Sequence, residues 1–308
     1  KDSSDQDLNT GLTTNDLYIN LIFTSSESTT NFDDTDISVS GGSLSEFGPA
    51  SGSGGPSTTV YTAKLTPTGS GTAVTRATSV SVSGNTFTDA AGNNNSTSNQ
   101  FNWTYDNEPP SLSSVSITSA DNADNTKAKV GNEITLSFTA SETIQTPTVT
   151  FLSGGAAITD TSITYTNTGG NNWTAKYTTD SNDTEGSITY SIAFSDIAGN
   201  DGTAVTSGSG SVTFDKTVPT LSSVTIASDN TVNTKAKTGD EITLSFTASE
   251  TIGTPTVTFQ SGGAAITDSS ITYTNTSGNN WTAKYTTDSS DTEGSITYSI
   301  AFSDIAGN

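Results

Sequence analysis

The segment Glu133-Ile-Thr-Leu-Ser-Phe-Thr139 alternates polar residues with large apolar ones at every step. Successive side chains of an extended chain point to opposite faces, so Ile134, Leu136 and Phe138 share one face. The threonines and the serine share the other face, where β-branched polar residues suit contact with water. This period of two predicts a β-strand that lies between a core and the solvent.

The same alternation returns at short intervals, with turn residues between the segments. We predict further strands at Leu112–Thr118, Thr148–Phe151, Ile163–Tyr165, Trp173–Tyr177, Ile188–Phe194 and Val212–Phe214. No window shows the periodicity of an amphipathic helix. Seven short antiparallel strands of this kind predict an immunoglobulin-like β-sandwich. Because the chain has no Cys, no disulfide crosses the core, and we expect Trp173 and its neighbours to fill it.

The chain also repeats itself. Gly131–Asn200 matches Gly239–Asn308 at 64 of 70 positions with a constant offset. A repeat of roughly 100 residues has the size of a domain, because solenoid turns are much shorter. The first third is a divergent copy, in which Tyr61-Thr-Ala-Lys-Leu-Thr66 is similar to Trp173-Thr-Ala-Lys-Tyr-Thr178. We therefore predict an all-β protein of tandem Ig-like β-sandwich domains in a linear array, with domains at 1–106, 107–215 and 216–308.

Short proline-bearing junctions, Asp106–Pro110 and Asp215–Pro219, connect these units. Proline fixes one backbone angle, so such junctions are expected to be stiff. The polar stretch Lys1–Gly11 shows no convincing first strand, and by the offset the third unit lacks its last one. We expect that the sequence is a window on a longer array. An alternative is that a strand from a partner fills the gap, but Lys1–Gly11 itself offers no apolar strand to donate.

The composition excludes several kinds of site. The chain has 10 Lys and Arg against 32 Asp and Glu, a formal net charge of −22, and it has no His. Without Cys and His there is no thiol nucleophile, Ser-His-Asp triad or zinc finger. The negative charge disfavours binding to nucleic acid, and no apolar run approaches the ~20 residues that span a bilayer. High charge with 30% hydrophobic residues is typical of disorder, but the repeated strand pattern argues against it.

Strand order gathers some of the acids. Strands of a sandwich alternate in direction, so Glu142 after the second strand and Asp196 after the sixth lie at the end where Asp106 enters. Oxygen ligands without His or Cys are those that Ca²⁺ prefers. We predict a calcium site at each junction, with Asp106, Glu108, Glu142, Asp196 and Asn200 at the first and Asp215, Glu250, Asp304 and Asn308 at the second.

Simpler interpretations of these residues stay open. Asp-Xaa-Ala-Gly-Asn is also a turn sequence, in which Asp and Asn bond their own backbone. Glu142 is alternatively a solvated loop residue, and Lys216 beside Asp215 weakens the second site. At the opposite end of each unit, the acidic loop Asp180–Glu185 lacks EF-hand spacing and is expected to be a solvated surface.

Four sequence motifs resemble those of a known family. They are Phe138-Thr-Ala-Ser-Glu142, Trp173-Thr-Ala-Lys-Tyr177, Asp196-Ile-Ala-Gly-Asn200 and Asp215-Lys-Thr-Val-Pro-Thr220. Through them, essentially the whole chain resembles the bacterial Ig-like repeats of giant surface adhesins and biofilm-associated proteins. The resemblance implies secreted or cell-surface stalks of many tandem sandwiches, often stiffened by calcium. It implies no particular receptor or organism.

We therefore predict an extracellular stalk or spacer for cell adhesion, whose partners are the neighbouring repeats. An alternative is a subunit of a surface filament or lattice, built by packing of copies of the chain. A carbohydrate-binding module is a third possibility, whereas near-identical tandem copies disfavour an enzyme. Sequons make four residues candidate glycosylation sites if the source modifies secreted proteins: Asn172, Asn182, Asn275 and Asn280.

Overall fold

A computed structural model of the chain describes residues 1, 8–29, 31–50, 58–69, 73–268 and 270–308. These residues form β-strands and loops, with a single 3-10 turn at Asp34–Asp36. None of them belongs to a helix long and apolar enough to cross a membrane. The chain is all-β, as the alternating segments predict, and its strands are arranged as tandem Ig-like sandwiches.

The described residues of the first unit form seven strands in two sheets. They are β1 Leu12–Thr14, β2 Ile19–Thr29, β3 Ile37–Ser40, β4 Gly42–Pro49, β5 Thr58–Pro67, β6 Thr75–Val82 and β7 Phe101–Asp106. The sheets have the orders β1-β7-β6-β3 and β2-β5-β4. Lys1 exchanges two backbone hydrogen bonds of 2.7 Å with Asn20 at the outer edge of β2. Residues 2–7 of the polar Lys1–Gly11 stretch lie outside the described part.

The second unit adds nine strands. They are β8 Leu112–Ser119, β9 Lys127–Ala128, β10 Glu133–Ala140, β11 Thr148–Ser153, β12 Ala156–Ala157, β13 Thr164–Gly169, β14 Asn172–Thr178, β15 Gly186–Ala193 and β16 Val212–Phe214. Its sheets are β13-β14-β10-β8 and β12-β11-β15-β16-β9. The prediction of purely antiparallel strands is wrong here, because β9 pairs with β16 in parallel, as β1 does with β7. These short strands cover an edge that the last strand of the unit would otherwise leave open.

The third unit contributes β17 Leu221–Ser228, β18 Glu241–Ala248, β19 Thr256–Ser261, β20 Ala264–Ala265, β21 Thr272–Ser277, β22 Asn280–Thr286 and β23 Ile296–Ala301. Its sheets are β17-β18-β22-β21 and β20-β19-β23. Its described residues include no counterpart of β9 or β16. Tyr298 is 39% exposed, whereas the equivalent Tyr190 of the second unit, whose hydroxyl lies close to Gly208, is 8% exposed.

Each unit has its own apolar core between its two sheets. In the second unit, Ile134, Leu136 and Phe138 are buried, so the segment that predicts the fold does face the core. The expectation for Trp173 needs correction. This residue is half-buried and packs on the rim of the cluster, while the chain's fully buried tryptophan is Trp103 on β7, 1% exposed.

Candidate metal sites at the junctions between units

The first junction gathers three carboxylates from three strand ends. Asp106 is the last residue of β7, Glu142 follows β10 by two residues, and Asp196 lies in the loop after β15. One oxygen of each carboxylate lies within 4.8 Å of the other two. Asp106 belongs to the first unit, and Glu142 and Asp196 belong to the second. The cluster therefore joins groups from two units.

The loop Asp196–Asn200 has the conformation of a self-bonded turn. The Asn200 backbone N–H donates to Asp196 Oδ1 at 2.8 Å, and Asn200 Nδ2 donates to Asp196 Oδ2 at 2.8 Å. Gly199 has a φ of +94°, a left-handed conformation that glycine adopts without steric penalty. The turn fixes the Asp196 carboxylate, which is 1% exposed, at the junction. Asp196–Asn200 is therefore a self-bonded turn and also contributes a carboxylate to the acidic cluster.

Asn200 lies beside the clustered carboxylates, but its side-chain nitrogen faces them. Its Nδ2 donates a second hydrogen bond, to the carbonyl oxygen of Asp106 at 2.9 Å. Its Oδ1 accepts from Asn15 Nδ2 at 3.1 Å. Asn200 thus acts as a hydrogen-bond bridge between the two units, and its oxygen points away from the carboxylates.

The second junction repeats this arrangement. Oxygens of Asp215, Glu250 and Asp304 lie within 4.8 Å of one another. Asn308 Nδ2 donates to Asp304 Oδ2 at 2.9 Å and to the carbonyl oxygen of Asp215 at 3.0 Å. Again the upstream unit supplies one carboxylate and the downstream unit supplies two.

Lys216 follows Asp215 in sequence, but its ammonium is directed elsewhere. Lys216 Nζ donates to the carbonyl oxygens of Ser181 and Asp183, at 2.9 Å and 2.8 Å. These are residues of the acidic loop of the second unit. The positive charge is therefore held by that loop's backbone.

Burial and mutual repulsion act on the clustered acids. Desolvation, followed by the charges of Asp106, Asp196 and Glu108, raises the pKa of Glu142 above its ordinary value. Desolvation and then the charges of Asp215, Asp304 and Glu185 do the same to the pKa of Glu250. Because Glu142 and Glu250 lie in the field of neighbouring carboxylates, ionising them costs free energy, and a positive charge placed there would lower that cost.

A fourth acid approaches each cluster. At the first junction it is Glu108, exposed and two residues after Asp106. At the second junction it is Glu185, which accepts from the Lys216 N–H at 2.8 Å and from Thr217 Oγ1 at 2.7 Å. The sequence places Glu185 near the following junction but does not single it out as a member of the cluster. One sequence signal was available. Thr217 occupies the position equivalent to Glu108 in the next repeat, so a fourth acid at the second junction had to come from elsewhere.

Other carboxylates of the acidic loop accept hydrogen bonds from the loop itself and from Thr159, which lies between β12 and β13. Asp180 accepts from Thr159 Oγ1 and from the Asn182 N–H, each at 2.6 Å. The Thr159 hydroxyl, the leading cause, lowers the pKa of the Asp180 carboxyl below its ordinary value. The buried Asp183 accepts from the Thr159 N–H at 2.8 Å. These bonds shape the loop between β14 and β15.

All four candidate glycosylation residues are exposed. Asn172 Oδ1 accepts from Thr139 Oγ1 at 2.7 Å, and Asn280 Oδ1 accepts from Thr247 Oγ1 at 2.7 Å. Asn275 Nδ2 donates to the carbonyl oxygen of Gly278 at 2.9 Å. Asn182 lies in the acidic loop. Their glycosylation stays a prediction.

The comparison with known families identifies one match. Residues 4–105 match the bacterial Ig-like domain, which confirms the family resemblance in the first and most divergent unit. No curated protein matches the sequence.

Several solved tandem Ig structures are similar in fold. A three-domain I-band fragment of titin is 9% identical, with 94% of this chain and 89% of that chain covered and a TM-score of 0.33. Another titin tandem is 11% identical, with 98% and 91% covered and a TM-score of 0.35. The full ectodomain of mouse nectin-like molecule 4 is 11% identical, with 94% and 91% covered and a TM-score of 0.28.

Proposed function

We propose that this chain is a segment of the stalk of a large extracellular adhesin, in which a calcium ion at each junction stiffens the array. The observation that carries the proposal is the origin of the clustered carboxylates. At both junctions one comes from the upstream unit and two come from the downstream unit. An ion held by all three connects two folded units and restricts bending between them.

The donor set fits a hard cation. Ca²⁺ takes six to eight oxygen ligands at about 2.3–2.6 Å, supplied by carboxylates, backbone carbonyls and water. Each cluster offers three carboxylates and a fourth acid nearby, with Glu142 and Glu250 only half-buried, so that water completes the coordination. His and Cys, the ligands that favour softer metals, are absent from the sequence.

The proline-bearing junctions support the same function. Asp106–Pro110 and Asp215–Pro219 are too short to let neighbouring units separate widely. Each unit has its own core, so it needs its neighbour for position and not for folding. A row of such units gives length and stiffness, which is what a stalk provides.

The location outside the cell is also part of the proposal. It is supported by the match of residues 4–105 to the bacterial Ig-like domain and by the resemblance of the repeats to surface adhesins and biofilm proteins. The outward strand faces are rich in Thr and Ser, as on β10. A net charge of −22 favours repulsion between copies and keeps long arrays apart in solution.

Small-angle scattering and thermal melting of the full chain test this function. We expect Ca²⁺, compared with EGTA, to narrow the distribution of end-to-end lengths and to raise the melting temperature. The double variant Asp106→Asn with Asp215→Asn is expected to remove both responses. Its matched control is Asp34→Asn with Glu293→Gln, which removes the same charge from exposed sites outside the clusters. Equal behaviour of the unaltered chain in Ca²⁺ and EGTA would overturn the calcium role.

A further inference from the structure

We propose that the second unit bears tension along the chain through a seam between its first and last parts. The seam has two patches of parallel contact, one between Ser207–Ser211 and β8 and one between β16 and β9. Tension that enters before β8 and leaves after β16 pulls these paired segments along their length in opposite directions. Neither a bound cation nor the adhesin role is needed, because both patches consist of direct contacts inside one unit.

The first patch is formed by a stretch whose composition is typical of a flexible linker. Ser207–Ser211 contains only serine and glycine, and such segments are usually flexible. Here Ser209 forms a parallel bridge with Ser116 of β8. The Ser209 N–H donates to the carbonyl oxygen of Val115 at 2.8 Å, and the Ile117 N–H donates to that of Ser209 at 3.1 Å. The stretch is therefore bonded to the outer edge of β8, the last strand of its sheet.

Glycine is required on both sides of Ser209. A Cβ at Gly208 would collide with the carbonyl oxygen of Val115, and a Cβ at Gly210 would collide with that of Ile117. Gly210 also has a φ of +76°, a left-handed conformation that glycine adopts without steric penalty. The alternation of serine and glycine therefore lets the backbone of this stretch approach β8 closely enough to bond with it.

The second patch joins the last strand of the unit to β9. The Thr213 N–H donates to the carbonyl oxygen of Thr126, and the Asp215 N–H donates to that of Ala128, each at 2.9 Å. β16 and β9 are parallel, and Phe214 between the two donors is 1% exposed. The last strand is thus bonded on one side to β15 and on the other side to a segment that follows β8.

The direction of loading follows from the order of the strands. The junction Asp106–Pro110 precedes β8, and the junction Asp215–Pro219 follows β16. Tension at the start of one strand and at the end of its parallel partner shears the pair, so that the hydrogen bonds between the strands bear the load together. Tension at the two starts instead peels the pair, and the bonds break in turn. Both patches are parallel, so tension along the array loads them in shear.

The first unit has the same arrangement. β1 pairs with β7 in parallel over three residue pairs, beginning with Leu12 opposite Trp103. The Gly11 N–H extends this pairing, because it donates to the carbonyl oxygen of Asn102 at 2.7 Å. β7 is the strand that leads into the first junction. Two consecutive units therefore bond their last strand in parallel to an earlier segment of the same unit.

Single-molecule pulling of the full chain in EGTA compares the two directions of loading. Because the chain has no Cys, the pulling handles attach to cysteines introduced at exposed positions. Ser111→Cys with Val218→Cys places the handles beyond the two ends of the second unit, so that tension shears the seam. Ser111→Cys with Thr206→Cys places both handles at the same end of the first patch, so that tension peels it. We expect the peeling force to be about twofold lower or less, because the two hydrogen bonds of Ser209 then break in turn.

Gly210→Ala tests whether the seam is the source of this difference. It is expected to bring the ratio of the shearing force to the peeling force from about two to about one, because the two hydrogen bonds of the first patch are lost. Its matched control is Gly155→Ala between β11 and β12, where glycine has a φ of +83° but a Cβ meets no atom within 4 Å. This control is expected to keep the ratio, and thermal melting confirms that each variant folds. Equal forces in the two directions in the unaltered seam would overturn the proposal, as would a ratio that both variants change alike.

Discussion

Thr75 and Glu185 occupy the same position in consecutive units, immediately before the residues that pair with Tyr105 and Phe214. Arg76 pairs with Tyr105 across β6 and β7, and Gly186 pairs with Phe214 across β15 and β16. Thr75 Oγ1 donates to Asp106 Oδ1 at 3.1 Å. The two junctions have thus exchanged a threonine and a glutamate. The first has Thr75 with Glu108, and the second has Glu185 with Thr217.

This exchange predicts the effect of moving the fourth acid at the first junction. Glu108→Thr removes an acid from the cluster, so we expect calcium binding there to weaken by about threefold to tenfold, which corresponds to about 1 kcal/mol. Thr75→Glu added to Glu108→Thr reproduces the arrangement of the second junction and is expected to restore most of the affinity. Isothermal titration calorimetry of both variants measures the difference.

The second junction supplies the control for this pair. Glu185→Thr there is expected to weaken binding, while Glu133→Gln, which alters a half-buried ion pair with Lys176, leaves it unchanged. A double variant at the first junction that binds no better than Glu108→Thr alone would show that the two positions are not interchangeable.

Removing an acid from the cluster is predicted to have opposite effects with and without calcium. In EGTA, Glu142→Gln removes a carboxylate whose pKa is raised by burial and by neighbouring charges. The melting temperature of the second unit is therefore expected to stay level or rise. In Ca²⁺ the same change removes a ligand, and the melting temperature is expected to fall below that of the unaltered chain. Differential scanning calorimetry under both conditions measures these two opposite changes in melting temperature.

Glu27→Gln is the matched control for the opposite effects expected of Glu142→Gln. Glu27 ends the segment Phe23-Thr-Ser-Ser-Glu27, which parallels Phe138-Thr-Ala-Ser-Glu142. It is exposed and, among the described residues, belongs to no group of three clustered acids. We expect Glu27→Gln to act alike in EGTA and in Ca²⁺. If Glu142→Gln also acts alike under both conditions, Glu142 is not a ligand.

The raised pKa values predict a dependence on pH. For Glu142 and Glu250 the folded pKa lies above the ordinary value of 4.5, so the folded state binds protons more readily than the unfolded state. Without calcium, their contribution to stability therefore increases as the pH falls through the folded pKa. With calcium, protons compete for the same oxygens and binding weakens.

We therefore expect the melting temperature difference between Ca²⁺ and EGTA to shrink from about pH 7 to about pH 5. Hydrogen bonds, first of all from the side chains of Asn93 and Thr159, lower the pKa values of Asp89 and Asp180 below the ordinary value, so their protonation takes place at lower pH. The variant Asp106→Asn with Asp215→Asn is expected to show little difference between the two conditions at any pH. If the melting temperature difference in the unaltered chain does not change with pH, calcium does not bind at the clustered acids.

The sequence predicted the strands because period two is a local property of the chain. Glu133–Thr139 lies inside β10, Glu133–Ala140, and the similarity of the repeats related the two junctions without coordinates. Short strands such as β9 were not predicted, since two residues carry no measurable periodicity. The fourth acid of the second junction, Glu185, was not assigned, although Glu108 was assigned at the first, because Thr75 and Glu185 share their position through strand register and not through sequence similarity.

The residues near the clusters were predicted from strand direction, but their hydrogen-bond geometry was not. Asn200 was predicted as a ligand because its side chain carries an oxygen. The structure turns its nitrogen toward Asp196, and its oxygen accepts from Asn15 on the neighbouring unit. Which end of an amide faces a site depends on partners that are distant in sequence, here by 185 residues.

The direct contacts between units predict a stiffness that does not need calcium. Asn122 Nδ2 donates to the carbonyl oxygen of Ala306 at 2.7 Å, and Lys129 Nζ donates to that of Gly307 at 2.6 Å. In EGTA, Asn122→Ala with Lys129→Met removes these two hydrogen bonds, each worth about 1 kcal/mol. The second and third units are then expected to sample a wider range of relative orientations. Because the chain has no Cys, one introduced cysteine in each of these two units carries a spin label, and the width of the distance distribution between the labels reports the change.

The same substitutions one repeat later, Asn230→Ala with Lys237→Met, alter side chains that contact no other unit in the described part, and they are expected to leave the width unchanged. Equal broadening in both variants, or in neither, would mean that these hydrogen bonds do not hold the junction.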